Sequence, residues 1–142
     1  MSVRQRSTDV NKDVLKYNLG LKQLSNTSIF LKDDIFVLSP SMQNAHNWFD
    51  LRKVNLNRFK EKPQKGFLLI RYFDTFLVAD LSAFSKQMMP SDKFVFTKTI
   101  GEHWKFNILL SGNKYSIVNQ QNRRVSYSVE EVSINRLQDL IK

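Results

Sequence analysis

The sequence contains no cysteine. A chain without thiols can form no disulfide, no zinc site with thiolate ligands and no cysteine nucleophile. Disulfide scaffolds, cysteine-ligated zinc fingers and thiol enzymes are therefore excluded. Because proteins that lack disulfides are typical of reducing compartments, we expect a cytoplasmic protein.

Glycine and histidine are also scarce. The two histidines, His46 and His103, provide too little material for a histidine-based metal site or a serine triad. The glycines stand singly along the chain, at Gly20, Gly66, Gly101 and Gly112. No glycine-rich loop is available to cradle phosphates, so a nucleotide-dependent enzyme is not expected.

Long apolar runs are missing as well. The first residues, MSVRQRSTDVNK, lack the apolar core of a signal peptide, and no run approaches the roughly 20 apolar residues that a membrane span requires. We therefore expect a soluble protein without a membrane partner. Residues 1–7 are polar and include Arg4 and Arg6, which predicts a flexible basic arm. Residues 8–142 have the length and apolar content of a single globular domain.

Negative charge is in short supply, since 13 acidic residues face 22 lysines and arginines and leave a net charge of +9. Such a balance favours a polyanionic partner, and we expect nucleic acid, above all double-stranded DNA. Residues 52–71 alone carry +6. The predicted phosphate-binding residues of this segment are Arg52, Lys53, Arg58, Lys60, Lys62, Lys65 and Arg71. A second, less dense patch comprises Lys114, Arg123 and Arg124.

The periodicity of the sequence predicts several β-hairpins. Two apolar runs at 67–70 and 76–79 have the length and composition of central strands, and we take this pair to organise the fold. Turn residues separate two further pairs, 28–31 with 35–38 and 103–110 with 114–118. A strand is expected at 93–99, and an optional one at 123–127.

Helical spacing of apolar residues predicts four helices. The first begins at Thr8 or Asp9, is weakened at Gly20 and reaches Leu24; the second covers 42–59. A short helix over 81–89 is ended by Pro90. The last runs from about 129 to 141, behind a capping pair of Ser128 and Glu131. Together these elements predict an α+β domain with an antiparallel sheet of hairpins and flanking N- and C-terminal helices.

Polar amides and tryptophans complete the candidate residues. Amide side chains could read base edges, and those of the predicted second helix are Gln43, Asn44, Asn47, Asn55 and Asn57. The two tryptophans, Trp48 and Trp104, are expected in the core, because large aromatic residues are usually buried.

Metal-dependent nuclease chemistry requires clustered carboxylates, often with a lysine nearby. The available set is Asp74, Asp80 and Glu102 with Lys105. In the segments FDTFLVADLSAFSK and GEHWKF the chain resembles bacterial type II restriction endonucleases, whose pattern places Asp, then Asp or Glu, any residue and Lys on adjacent strands. The resemblance implies Mg²⁺-dependent DNA cleavage with Asp74 and Asp80 as the acidic positions, although Ser82 stands where the family has its lysine.

The residues leave three functions open. The first is a DNA-binding protein of bacterial or phage DNA metabolism or restriction, and the second is an Mg²⁺-dependent endonuclease. The third is a protein-interaction module or inhibitor that presents a basic face. A homodimer would suit a DNA-binding protein of this size, but no residue requires one.

Overall fold

A computed structural model describes residues 12–25, 27–40, 42, 47–73 and 75–141. The predicted basic arm at 1–7 and the first residues of the predicted N-terminal helix lie outside this range. The described chain has an α+β fold, in which most neighbouring strands are antiparallel. This confirms the fold class expected from the sequence.

The strands of the described chain join in one sheet. They are β1 (Lys22–Gln23), β2 (Ile29–Lys32), β3 (Ile35–Leu38), β4 (Trp48–Arg52), β5 (Lys65–Tyr72), β6 (Thr75–Asp80), β7 (Val95–Thr97), β8 (Gly101–Ser111), β9 (Lys114–Asn119) and β10 (Asn122–Val132). Their order in the sheet is β1-β2-β3-β5-β6-β10-β9-β8-β4, and β7 also pairs with β8. The three predicted hairpins are confirmed as β2-β3, β5-β6 and β8-β9.

The helices are short. A π-helical turn (Val14–Asn18) comes first, followed by α1 (Lys53–Lys60), α2 (Leu81–Met88) and α3 (Ile134–Leu140). Helix α2 agrees with the prediction for 81–89. Strand β7 is shorter than the strand predicted at 93–99. One strand pair differs from the antiparallel expectation, because β3 and β5 run parallel, with β4 and α1 in the connection between them.

The N-terminal helix ends earlier than predicted. The amide of Leu19 donates to the carbonyl of Val14 at 3.0 Å, and Gly20 follows with a φ of +68°. Glycine adopts this left-handed conformation without the steric cost that other residues meet, so it ends the helical turn. Leu21 lies beyond the turn, and Leu24 lies just after β1.

The prediction of one helix over 42–59 is wrong for its middle part. Residues Trp48–Arg52 form β4, which pairs with β8, and among the described residues of this region the helix is confined to Lys53–Lys60. The apolar residues of this region fit both periods, since Phe49 and Leu51 alternate as in a strand whereas Leu56 and Phe59 keep helical spacing. Pairing with a distant strand decides the structure of the first part. Residues 43–46 lie outside the described range.

The C-terminal helix is also shorter than predicted. Strand β10 continues to Val132, and the predicted capping pair of Ser128 and Glu131 lies within it. The cap is Ser133, whose Oγ accepts a hydrogen bond from the Arg136 amide at 3.1 Å. Pairing of β10 with β9 and then with β6 therefore overrides the local capping signal.

Strand β10 folds the sheet around the main hydrophobic core. Its first part pairs with β9, and its last three residues, Glu130 to Val132, pair with β6. Side chains from both halves of the sheet, such as Phe36 of β3 and Phe49 of β4, meet in one buried cluster. Helix α1 contributes Phe59 and helix α2 contributes Phe84 to this cluster. Both helices therefore pack on the inner side of the sheet.

A second core lies on the opposite face of β3, β5 and β6. It contains Leu69 of β5 and Phe76 of β6, and it is covered by Leu15 of the π-helical turn and Leu137 of α3. The π-helical turn and α3 thus cover one part of the outer side of the sheet.

Candidate nucleic-acid interface

Strand alternation places one face of β4, β8, β9 and the first part of β10 toward solvent. Phe49 of β4 lies opposite Phe106 of β8, and both belong to the main core. Neighbouring residues in a strand point to opposite faces, so Trp48 and Asn107 point outward as the next pair. We call this surface the outer face. Its members are Trp48, Asp50, Arg52, His103, Lys105, Asn107, Leu109, Lys114, Ser116, Val118, Arg124, Ser126 and Ser128, together with Arg123, which reaches onto it.

No helix of the described chain covers the outer face. The buried residues of α1 and α2 belong to the core on the inner side, and those of the π-helical turn and α3 belong to the second core. Most outer-face residues are accordingly exposed or half-buried, and His103 and Val118 are the buried ones. The outer face is therefore open to a ligand among the residues that the structure describes.

The outer face is strongly basic. It carries cations from each of its strands: Arg52, Lys105, Lys114, Arg123 and Arg124. Asp50 is its one carboxylate. The first acidic residue of β10, Glu130, lies outside the outer face, in the part of the strand that pairs with β6. None of the five cations forms an ion pair with a described residue. The fold thus brings Arg52, from the first basic segment, onto the same surface as the second predicted patch.

Two contacts hold cations in place on this face. The Lys105 Nζ lies 4.4 Å from the centroid of the Trp48 ring, a cation–π contact between neighbouring strands. The Arg123 Nη2 donates to the Asn107 Oδ1 at 3.1 Å. Both cations therefore stay over the sheet and project less freely into solvent.

The basic residues of α1 occupy a different part of the surface. Arg58, Lys60 and Lys62 are exposed on the helix and on the loop that follows it. Phe59, between them, packs against Gly66 at the start of β5, so this end of the helix lies over β5 and away from β8 to β10. Lys53 is paired with a carboxylate, because its Nζ lies 2.8 Å from the Glu102 Oε2.

Lys65 and Arg71 belong to yet another surface. They share the face of β5 that carries Phe67 and Leu69, which is the face of the second core. The Lys65 Nζ lies 5.4 Å from the Phe67 ring centroid, and the Arg71 guanidinium carbon lies 4.7 Å from that of Phe76. The segment 52–71 is thus dense in charge along the sequence but divided among three surfaces in the fold.

The predicted catalytic residues have individual structural partners. The Asp80 Oδ1 accepts a hydrogen bond from the Ala83 amide at 2.9 Å and so caps α2, whereas Glu102 pairs with Lys53. Lys105 lies over Trp48, and Asp74 is outside the described residues. Within the described part of the chain, no three histidine or acidic residues are grouped so that they could hold a metal ion.

His103 lies buried within the outer face. Its Nδ1 is 2.9 Å from the carbonyl oxygen of Gly101, and its Nε2 is buried without a hydrogen-bond partner among the described residues. Arg52 of β4 and Val95 of β7 flank it on the two neighbouring strands. Its buried position makes it a structural residue of the sheet and not a surface ligand.

The predicted base readers have different environments. The Asn47 Oδ1 accepts a hydrogen bond from the Tyr72 hydroxyl at 2.9 Å. Asn55 is buried on α1, Asn57 is exposed on the same helix, and Gln43 and Asn44 lie outside the described residues. Sequence reasoning missed Asn107, which occupies the outer face beside Trp48.

Two tyrosines have perturbed acidities. Burial, and secondarily the neighbouring Tyr115, raises the pKa of Tyr72 above its usual value. Burial also raises the pKa of Tyr127, with a smaller contribution from the negative charge of Asp80. Both shifts favour the neutral phenol, so these groups carry no charge at neutral pH.

Comparison of the chain with known protein families, with curated proteins and with solved structures yields no match. In the described part of the chain, no helix has both the length and the apolar character needed to cross a membrane.

Proposed function

We propose that this protein binds nucleic acid and that its outer face contacts the phosphate backbone. The observation that carries the proposal is the distribution of charge on one uncovered surface. Five cations from four strands share this face with one carboxylate. Neutralisation of phosphates by such cations releases counterions and provides affinity without a requirement for sequence.

The dimensions of the surface suit an extended polyanion. Neighbouring strands lie about 4.8 Å apart, so Arg52 on β4 and Arg124 on β10 stand roughly 14 Å from each other across the sheet. The intervening strands carry Lys105 and Lys114. A backbone that crosses the strands near Arg52 would therefore meet Lys105 on β8 and Arg124 on β10, whereas Lys114 pairs with Ser111 at the β8-β9 hairpin, roughly 20 Å farther along the strands. A cytoplasmic location, which the absence of cysteine supports, would give the protein access to nucleic acid.

No observation favours cleavage in particular. Asp80 caps a helix and Glu102 is ion-paired, so neither carboxylate is left without a structural role. An endonuclease of the restriction type would require Mg²⁺ and a lysine near the acidic pair. Cutting is therefore an outcome that the binding experiment should monitor, and not a function that we propose.

Three variants with equal loss of charge test the location of the site. The first replaces outer-face cations, as Arg52→Gln, Lys105→Gln and Arg124→Gln. The second changes the α1 region, as Arg58→Gln, Lys60→Gln and Lys62→Gln. The control changes exposed lysines near the π-helical turn and β1, as Lys12→Gln, Lys16→Gln and Lys22→Gln.

Each protein is titrated with labelled duplex and single-stranded DNA at two salt concentrations, with and without Mg²⁺. We expect the outer-face variant to lose most of the affinity and to lower the slope of log K against log salt by about 2. The α1 and control variants should retain more of the affinity and a steeper dependence of log K on log salt. Circular dichroism and urea unfolding verify that all three are folded.

Two results would overturn the proposal. One is an absence of binding by the unmodified protein at low salt, which would favour a protein partner for the basic face. The other is an equal loss of affinity in all three variants, which would show that total charge and not the outer face determines binding. Mg²⁺-dependent cutting that survives purification would add an enzymatic function.

A further inference from the structure

We infer that the ligand of the outer face is single-stranded nucleic acid and that one of its bases stacks on Trp48. This inference rests on the proposed function and specifies its substrate class. It follows from the width of the surface, the position of Trp48 and the distribution of side-chain size across the strands.

The outer face is too wide to enter a groove of duplex DNA. Its four strands span about 14 Å between the first and last strand axes, before side chains are added. The major groove, about 12 Å wide, admits a helix or a two-stranded ribbon. The sheet is also folded around the core on its inner side, which makes the outer face convex. A duplex would touch it only through phosphates, whereas a flexible single strand can follow its curvature.

Trp48 lies on this polar surface and not in a core. Both hydrophobic clusters of the described chain omit it, whereas Trp104, on the inner face of β8, is buried in the main cluster. A half-buried indole beside Lys105 and Asn107 presents an aromatic surface within a cationic environment. Stacking of bases on such side chains, next to cations that bind phosphate, is how many proteins hold single strands.

The part of the outer face formed by β9 and β10 is lined mainly by short side chains. Directly across from Trp48 and Asn107, the row continues through Val118 of β9 and Ser126 of β10. In the next row toward the β8-β9 hairpin, Leu109 of β8 is followed by Ser116 of β9 and Ser128 of β10. The exposed serines of β10, with Ser116 and the buried Val118 of β9, leave few large side chains between Trp48 at one edge and the arginines of β10 at the other.

The neighbours of Trp48 suit the parts of a nucleotide. Lys105 lies over the indole, with its Nζ 4.4 Å from the ring centroid, so a base that stacks on this side displaces the ammonium toward the adjacent phosphate. The Asn107 Nδ2 donates to the Asn47 carbonyl at 3.4 Å and keeps one further hydrogen for a base edge, and Arg123, bound to the Asn107 Oδ1, can contact the next phosphate. Stacking tolerates every base, so we expect affinity with little sequence preference.

Intrinsic fluorescence provides a direct test, because the chain has two tryptophans and only Trp48 lies on the outer face. Unlabelled oligo(dT) and oligo(U) of about 12 nucleotides are added to the protein. We expect quenching that persists in Trp104→Phe and disappears in Trp48→Leu. If Trp104→Phe does not fold, the difference between unmodified protein and Trp48→Leu gives the same signal.

Affinity gives a second readout. Trp48→Leu should weaken binding of the single strand about tenfold and change duplex binding by less than about threefold. The matched control is Tyr17→Leu, which removes an aromatic ring that is 81% exposed on the π-helical turn. It should leave both affinities unchanged. The comparison of oligo(dT) with oligo(U) decides between DNA and RNA.

The outcomes separate this inference from the proposed function. Salt-dependent binding without quenching, or with equal effects of Trp48→Leu on duplex and single strand, would refute stacking and leave phosphate binding by the outer face intact. No binding of either nucleic acid at low salt would refute both. Loss of quenching in Tyr17→Leu would show that the signal does not report on Trp48.

Discussion

The ammonium of Lys53 lies 2.8 Å from a carboxylate oxygen of Glu102, and this contact joins α1 to β8. Lys53 was a predicted phosphate ligand, and Glu102 was a predicted metal ligand. In the fold each neutralises the other. The pair also fixes the start of α1 beside the strand that carries Lys105.

Glu102→Gln should increase affinity for nucleic acid, because it removes a negative charge and releases Lys53. Both partners are partly exposed, so the free energy of unfolding should fall by no more than about 1 kcal/mol. Urea unfolding and DNA titration measure the two effects. Lys53→Gln serves as the control and should lower affinity less than Lys105→Gln does. A fall in affinity in Glu102→Gln would contradict the prediction.

Gly66→Ala should destabilise the protein. A Cβ on this residue would collide with the Phe59 ring and lie 3.0 Å from the Leu81 Cβ, where α1 and α2 meet β5. Overpacking of this kind costs about 1–3 kcal/mol in the free energy of unfolding. Urea unfolding of Gly66→Ala, Phe59→Leu and the double variant tests the contact. We expect the two substitutions to be less destabilising together than the sum of their separate effects, and simple additivity would argue against a direct clash.

Local signals were sufficient to predict the hairpins. At the β2-β3 turn Asp33 has a φ of +53°, and at the β8-β9 turn Gly112 has a φ of +61°. Asp and Gly tolerate this conformation, and alternating apolar residues on both sides fix the strands. These features lie within a few residues of each other, so the sequence displays them directly.

Features that depend on distant pairing could not be predicted. Residues Trp48–Arg52 form a strand because they pair with β8. Strand β10 extends to Val132 because its last residues pair with β6. The same pairings create the candidate site. Arg52 and Arg124 are far apart in sequence, and only the order β4-β8-β9-β10 places them on one surface. The alternation of residues 48–52 was a usable signal for the strand, but nothing local identifies its neighbour.

Asp80→Ala should lower the free energy of unfolding by about 0.5–2 kcal/mol, because it removes the acceptor that caps α2. Asp80→Asn should retain most of this stability, since asparagine caps helices equally well. Urea unfolding of both variants tests the cap. The pair also separates capping from catalysis: if Mg²⁺-dependent DNA cutting is observed, its loss in the stable Asp80→Asn would assign the carboxylate a chemical role.

The raised pKa values of Tyr72 and Tyr127 predict a loss of stability at alkaline pH. Unfolded tyrosine ionises near pH 10, so above this pH the unfolded chain binds fewer protons than the native one. The free energy of unfolding should therefore fall as the pH rises through about 10 toward the native pKa values. At neutral pH the phenols are protonated in both states, so these groups do not make the stability depend on pH there.

Substitution separates this tyrosine effect from the general titration of lysines. Tyr127→Phe should reduce the alkaline loss of stability, measured as urea midpoints over a pH series. Asp80→Asn should reduce it less, because burial and not the carboxylate is the main cause of the raised pKa of Tyr127. Tyr17→Phe, at an exposed residue, is the control and should leave the pH dependence unchanged. If Tyr127→Phe follows the unmodified protein across the whole series, the phenol of Tyr127 ionises equally easily in the folded and unfolded chains, and its burial in the fold has no electrostatic consequence.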